Sequence, residues 1–460
     1  MYPVWEGVLV HPAIVIALIA SFHVLASHLT VAGAWFNYFI ERKAVLENRP
    51  EYYQYLKRSV LGLLTFAYVF GALSGVGIWY STTAGNPRGI STLIHNFVLY
   101  WGSEWYMFMI DVIGITAYYY TFGRVNPKTH LRMAWILALG ATGTLSIIVG
   151  ILSFKLTPGT WLDTGMSLHG FYNPTFWPQL LMRFFLMFAI TGVYGVLVAS
   201  TLPKDAQHRG EIIRSAAGFG LVGLLLGTIV WLFWYLPTLP EHARTIMHSA
   251  AVPGVTYTLI LMGILVVALF HAFSLAAPKK QTPALAVVVM MFMVVGIFGA
   301  ERLREVMRKP DIVAGYMGVN QLVFKDLPAR GIKSEEVVFN QKGLLGNLPF
   351  LNRPGATTIG EAATAPLQGE ALIQAGRVLV VQQCSGCHTV SRQTMIGGMA
   401  LRSVDQLFVR RGMTRADQVE SYLGTLGGFP YMHPVVGTAE ERKAMAAYLE
   451  RFITSAQAQR

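Results

Sequence analysis

The sequence predicts an all-α, polytopic membrane protein: a bundle of eight transmembrane helices followed by a small all-α domain. Of its 460 residues, 53% are hydrophobic and only 13% are charged, a balance outside that of disordered, fibrous or ordinary soluble chains. Eight apolar runs, at 12–36, 59–79, 96–121, 133–154, 176–199, 216–236, 255–275 and 284–301, follow one another with polar loops between them. Most have the ~20 residues that a bilayer crossing needs. Beyond residue 309 the composition changes, and two amphipathic segments, 369–383 and 438–453, bracket a loop-rich stretch.

One such run in isolation reads as a buried core helix; eight in series do not. The first run is too long for a signal peptide's apolar region and lacks a charged start and a small-residue cleavage site, so it is expected to stay as a helix. Alternate loops at 42–58, 124–132, 204–214 and 279–280 carry thirteen Lys and Arg, whereas the other loops carry three, Arg88, Lys155 and Arg244. The first set is expected on the cytoplasmic side of a bacterial inner membrane, leaving the N-terminus and the C-terminal region on the periplasmic side. The formal net charge of +12 would point a soluble chain toward nucleic acid, but here it resides in short loops and sets topology, so the partner is the lipid bilayer. Arg302, Arg304, Arg308 and Lys309 fall on the disfavoured side. They either pair with an acidic cofactor or snorkel at the interface.

These observations divide the chain into a membrane part, 1–309, an extracytoplasmic linker, 310–366, ending in the flexible Ala/Thr/Gly/Pro stretch 354–368, and a C-terminal domain, 367–460. That domain holds the chain's two cysteines, Cys384 and Cys387, in CSGCHT at 384–389. With only two, no disulfide framework exists. CxxCH attaches haem c: the thiols of Cys384 and Cys387 add to the haem vinyl groups, and the adjacent His388 is an axial iron ligand, all three from one turn beneath one macrocycle. The helix GEALIQAGRVLVVQQ runs into the motif, and PYMHP followed by EERKAMAAYLERF closes the segment. The whole resembles a class I cytochrome c domain over about 90 residues. The resemblance implies Met432, just before the last helix, as sixth ligand, with His433 as a competitor and Met395, Met399 and Met413 as packing residues. Iron held by His and Met moves electrons and does not bind substrate.

Ionisable groups inside apolar helices are costly and therefore functional candidates. They are His23 and His28 in the first run, Glu104 and Asp111 in the third, Arg183 in the fifth, His271 in the seventh, and Glu301 with Arg304 at the end of the eighth. Glu104 and Asp111 stand seven apart, on one helix face, as a proton path or a cofactor pocket requires. His271, His95 and His130 read as satisfied side chains at helix mouths.

SFHVLASHLTVAG at 21–33, followed by FIERKAV, resembles the first helix of cytochrome bd oxidase subunit I, whose pattern carries a haem-ligating His. FGALSGVGIWYSTTAGNP, WGSEWYMFMIDVIGITAYYYTFGR and LRMAWILALGATGTLSIIVGILSF continue the resemblance through the next three helices, and GIFGAERLREVMRKP matches it at the eighth. The resemblance implies one or two b-type haems, or haem d, with His23 and Glu301 as iron ligands, Arg304 and its basic neighbours on haem propionates, and Glu104 and Asp111 lining the pocket or its proton route. A high-spin haem has the open iron position that O2 or NO requires, and buried carboxylates deliver protons.

Three departures matter. Arg183, in LLMRFFLMFAITG, stands at the family's low-spin haem His, and a guanidinium does not ligate iron; with no His there, a Met partner at Met262 means little. The family's quinol loop shrinks to 237–254. Its ninth helix gives way to the linker and the haem c segment. The expectation is a respiratory membrane haem oxidoreductase that exchanges electrons with a soluble or membrane-bound periplasmic cytochrome and reduces O2 or NO, beside a second membrane subunit implied by the family. The rivals are an electron-relay subunit without gas reduction, linking a membrane partner or the quinol pool to cytochrome c, and a haem-containing scaffold or gas sensor.

Overall fold

The computed structural model describes residues 9–249, 251–348, 351, 367–390 and 403–457. Met395, Met399 and nearly all of 354–368 lie outside the described residues. All eight apolar runs form helices. They are α1 (Pro12–Leu46), α2 (Tyr52–Gly85), α4 (Val98–Tyr120), α5 (Pro127–Ser153), α6 (Phe176–Ser200), α7 (His208–Thr238), α9 (Gly254–Ala276) and α10 (Pro283–Met307), with the short α3 (Pro87–Asn96) and α8 (Glu241–Met247) between them. Among the described residues seven of these are long and apolar enough to cross a membrane. The eighth, α4, has 23 residues, about 34 Å at 1.5 Å per residue, and is less apolar because it carries Glu104, Asp111 and several tyrosines.

Local sequence sets where several helices begin. In α1, α3, α5 and α10 a proline occupies the first turn, and the side chain before it, His11, Asn86, Asn126 or Thr282, accepts a backbone N–H two or three residues on. Proline costs no hydrogen bond there, and the cap satisfies a donor the helix leaves open.

Helix α1 is central, packed against α2, α5, α6 and α10, while α4–α5, α6–α7 and α9–α10 form antiparallel pairs. Gly263 and Gly296 let α9 and α10 touch backbone to backbone: a Cβ on Gly263 would sit 2.8 Å from the Gly296 Cα. The outside of the bundle is apolar, with Leu73, Leu99, Phe233, Leu261 and Met291 all at least 65% exposed, while Glu41 and His130 are buried within it. Such a surface belongs in lipid. The chain is an integral membrane protein.

One end of the bundle carries the basic loops. The other carries residues 311–348 and the C-terminal helices α11 (Glu336–Lys342), α12 (Gly369–Cys384), α13 (Val404–Arg410), α14 (Ala416–Leu423) and α15 (Ala439–Gln457). The segment after α10 forms a small ladder of β1 (Asp311–Val313) and β2 (Met317–Gly318), then packs both ways. Met317, Val323 and Leu327 join Phe154 and Trp161 of the membrane part, and Leu322, Leu344, Leu345 and Leu348 join Leu379 and Leu449 of the C-terminal part. The Arg88 guanidinium fixes it further through a forked pair with Glu335 at 2.7 and 2.8 Å. Helices α12 and α15 cross at Gly376, where any Cβ would overlap the Ala444 carbonyl.

Candidate functional site

The end of α12 turns the CxxCH residues into one loop. The Cys387 and His388 amides both donate to the Cys384 carbonyl, at 3.1 and 2.8 Å, so Cys384, Cys387 and His388 issue from a single turn. Burial, with Cys387 beside it, pushes the Cys384 thiol up to about 12, and the two cysteines are not joined to each other by a disulfide. Met432 and Met413 pack against the core of this domain. His433 is engaged elsewhere: its Nε2 lies 2.7 Å from Asp311 Oδ1, and its ring stacks on Phe324 at 4.1 Å.

The loop rests on the membrane bundle. Lys309, just past α10, donates to the Gly386 carbonyl at 2.9 Å. The His11 Nε2–H donates to the Ser385 carbonyl at 2.9 Å, while its Nδ1 accepts the Ala13 amide, which fixes a neutral tautomer. Burial and the Lys309 charge push His11 down to about 4, in keeping with that form. A small cavity lies at this seam, lined among others by His11, Phe298, Arg302, Glu305, Lys309 and Cys387.

Below the seam, charge accumulates. Glu301 pairs with Arg304, whose Nε donates at 2.8 Å, and with Arg183 at 3.7 Å. Glu305 pairs with Arg308 and with Lys309, the latter at 3.3 Å. Lys155 is buried within electrostatic reach of Arg308, Arg304 and Lys309, and burial with those charges holds its ammonium well below the usual lysine range. Four cations, Arg183, Arg304, Arg308 and Lys309, and the Lys155 amine thus meet two carboxylates. A buried excess of positive charge calls for an anion, and the propionates of a haem fit that demand.

His23 lies within electrostatic reach of Glu301 and Arg183, as does His28. The His23 Nδ1–H donates to the Gly71 carbonyl at 3.1 Å, leaving Nε2 as the acceptor nitrogen. Outer-shell bonds of this kind orient a ligating imidazole, so His23 suits an iron. Glu301 suits one less well, because both its oxygens already face guanidinium groups. Arg183 turns its charge onto Glu301.

Glu104 and Asp111 form a second locus. They interact with each other along α4, and Asp111 faces Thr144 of α5. Asp111 is buried; its neighbour Tyr68, in the π-type turn of α2, is buried as well.

Residues 13–233 match the cytochrome bd terminal oxidase subunit I family. The matched stretch holds His23, Glu104, Asp111 and Arg183, and it ends before Glu301, Arg304 and the CxxCH loop. Among solved structures, the chain resembles one from the bd oxidase of Geobacillus thermodenitrificans, with TM-score 0.57 and 16% identity over 73% of this chain and 93% of that one. At that identity the likeness is one of fold. No curated protein matches the sequence.

Four features escape a reading of the sequence: His11 on the CxxCH loop, the Arg183–Glu301 pair, Lys155 inside the cationic cluster, and a buried Glu41–His130 pair at 2.5 Å. The His-Pro start of α1 marks His11 as a cap but not its partner. His130 reads as an ordinary helix-mouth residue until its carboxylate is seen.

Proposed function

We propose that this protein is a respiratory membrane haem oxidoreductase that exchanges electrons with a periplasmic cytochrome through a covalent haem c and reduces O2 or NO within the bundle. The observation that carries this reading is the seam: the CxxCH loop is held by His11, at the start of α1, and by Lys309, just past α10, the helix whose last turns carry Glu301 and Arg304. Residues 1–309 would be the membrane haem domain, 310–366 a connecting segment, and 367–460 a cytochrome c domain, with the N-terminus and the cytochrome on the periplasmic side, as the loop charges favour.

Cys384, Cys387 and His388 would hold haem c, with Met432 as sixth ligand. His23 would hold a b-type haem or haem d, Glu301 would face a second, and Arg304, Arg308 and Lys155 would take their propionates. Haem bound at these places supplies iron that accepts and passes electrons and, where a coordination position stays open, binds a small gas. Glu104 and Asp111 hold protons inside an apolar helix, where reduction of a gas consumes them. The family match supports a second membrane subunit as partner.

The Glu301 ion pairs favour a second reading, an electron-relay subunit without gas reduction. One preparation separates the two. A haemochrome assay and a reduced-plus-CO difference spectrum of the full chain are expected to show haem c together with CO-reactive non-covalent haem, and O2 uptake is expected with reduced cytochrome c rather than quinol. Haem c without any CO-reactive haem would leave only the relay.

A further inference from the structure

Where the basic-loop ends of three helices meet, a carboxylate is sealed inside the bundle. Glu41, near the end of α1, is 0% exposed, and His130, in the first turn of α5, is 2% exposed. The Tyr118 hydroxyl, near the end of α4, donates to Glu41 Oε2 at 2.5 Å, and His130 Nδ1 lies 2.5 Å from Glu41 Oε1. His130 Nε2 bonds the Tyr118 backbone carbonyl at 3.0 Å, and the rings of Tyr118 and Phe122 enclose the imidazole.

The partners fix the protons. A carbonyl only accepts, so His130 Nε2 must carry hydrogen. The contact to Glu41 then holds one further proton, resident either on Nδ1 or on the carboxyl, and the pair stays neutral in both forms. Losing that proton leaves a buried anion that must be refilled.

The position adds direction. Tyr118 follows Asp111 by seven residues and Asp111 follows Glu104 by seven, so all three share one face of α4. Tyr68 stands within electrostatic reach of Asp111, and its hydroxyl is buried without a hydrogen-bond partner among the described residues. Tyr53 is placed likewise beside Glu41. The face therefore runs from the sealed pair at one end toward the carboxylates nearer the other, about 21 Å along the helix.

We infer that Glu41 and His130 form a proton-loading pair that takes protons from the basic-loop side and passes them, by way of the Tyr118 face, to Asp111 and Glu104. The inference rests on the gas-reduction reading above: one O2 taking four electrons from the reduced cytochrome also takes four protons to give two waters, and these are the protons the pair supplies.

The test uses the full chain with its haems in liposomes, fully reduced and then given a pulse of O2 beside a pH-indicating dye. The native protein is expected to take up protons as O2 disappears. Glu41→Gln, which keeps the size and hydrogen bonding of the side chain, is expected to slow uptake about tenfold or more, with the haem spectrum and CO binding unchanged. His130→Gln is the second variant, with the same expectation. A separate readout needs no turnover: infrared difference spectra taken before and after proton uptake should contain a carboxyl or carboxylate band that Glu41→Gln removes. Native-rate uptake in both variants, or an infrared spectrum that Glu41→Gln leaves unaltered, overturns the inference. A native protein that consumes no O2 overturns the gas-reduction reading and the supply of protons to it, and the infrared comparison still decides whether Glu41 exchanges a proton.

Discussion

Lys309 donates to the carbonyl of Gly386 at 2.9 Å, joining the end of α10 to one of the two residues between the cysteines. The bond is part-buried and charge-assisted, a kind worth about 1.5–3 kcal/mol. Lys309→Met keeps the length of the side chain and removes the donor. We expect unchanged haem content but oxidation of the covalent haem by O2 slowed about tenfold, equivalent to ~1.4 kcal/mol in barrier, followed by stopped-flow absorbance. Oxidation at the native rate would separate the docking contact from electron exchange.

His23 is expected to be irreplaceable in a different way. Its Nδ1 is occupied by the Gly71 carbonyl, so Nε2 is the nitrogen available to iron. His23→Ala should lose a non-covalent haem while retaining haem c, measured by the haemochrome ratio of the two types. Retention of all non-covalent haem would remove the assignment.

Glu301 is the anion on which Arg183 and Arg304 converge. Removing one partner of a buried ion pair strands the other charges, at a cost of about 3–5 kcal/mol. Glu301→Gln should therefore lower the thermal unfolding midpoint of the bundle sharply, whereas Glu301→Gln combined with Arg183→Gln should recover part of the loss. Equal midpoints for the single and double variants would show that Arg183 does not depend on Glu301.

Gly376 sets the crossing of α12 and α15, since a Cβ there would overlap the Ala444 carbonyl. Backbone cannot yield as a side-chain tip can, and forced overpacking costs about 1–3 kcal/mol or more. Gly376→Ala should expose the C-terminal part to proteolysis while the membrane helices stay protected. Protease resistance equal to the native protein's would mean that the two helices part without penalty.

Much of this architecture is legible in the sequence, because lipid imposes a simple rule: an apolar run near twenty residues becomes a helix, and all eight runs do. The CxxCH turn is legible because its close spacing brings Cys384, Cys387 and His388 out of one loop, as the Cys387 and His388 amides on the Cys384 carbonyl show. Tertiary pairing is not legible. Arg183 reads as a replacement for a missing imidazole, and only the fold shows its charge turned onto Glu301, 118 residues away. Lys155 reads as one of three minority charges in the loops, yet the turn after α5 folds it under α10 beside Arg304 and Arg308. Asp111 and Glu104 are legible as one face from their spacing, whereas Glu41 and His130 come from helices that the sequence does not place together.

Lys155 yields the last prediction, with a sign fixed by its surroundings. Its amine sits below the ordinary value of 10.5, through burial first and then Arg308, Arg304 and Lys309. In the unfolded chain the same amine keeps its proton up to that ordinary value. Between the two values the unfolded state binds the extra proton, so stability rises with pH across that window. Below the depressed value both states are charged, and the penalty of the buried ammonium is constant. Lys155→Met removes the group and therefore the slope. Thermal midpoints taken from neutral pH upward should climb in the native protein relative to Lys155→Met and converge toward it as 10.5 is approached. Parallel curves would mean that an anion already neutralises the ammonium, and adding back haem to haem-depleted protein would then be the variable that moves them.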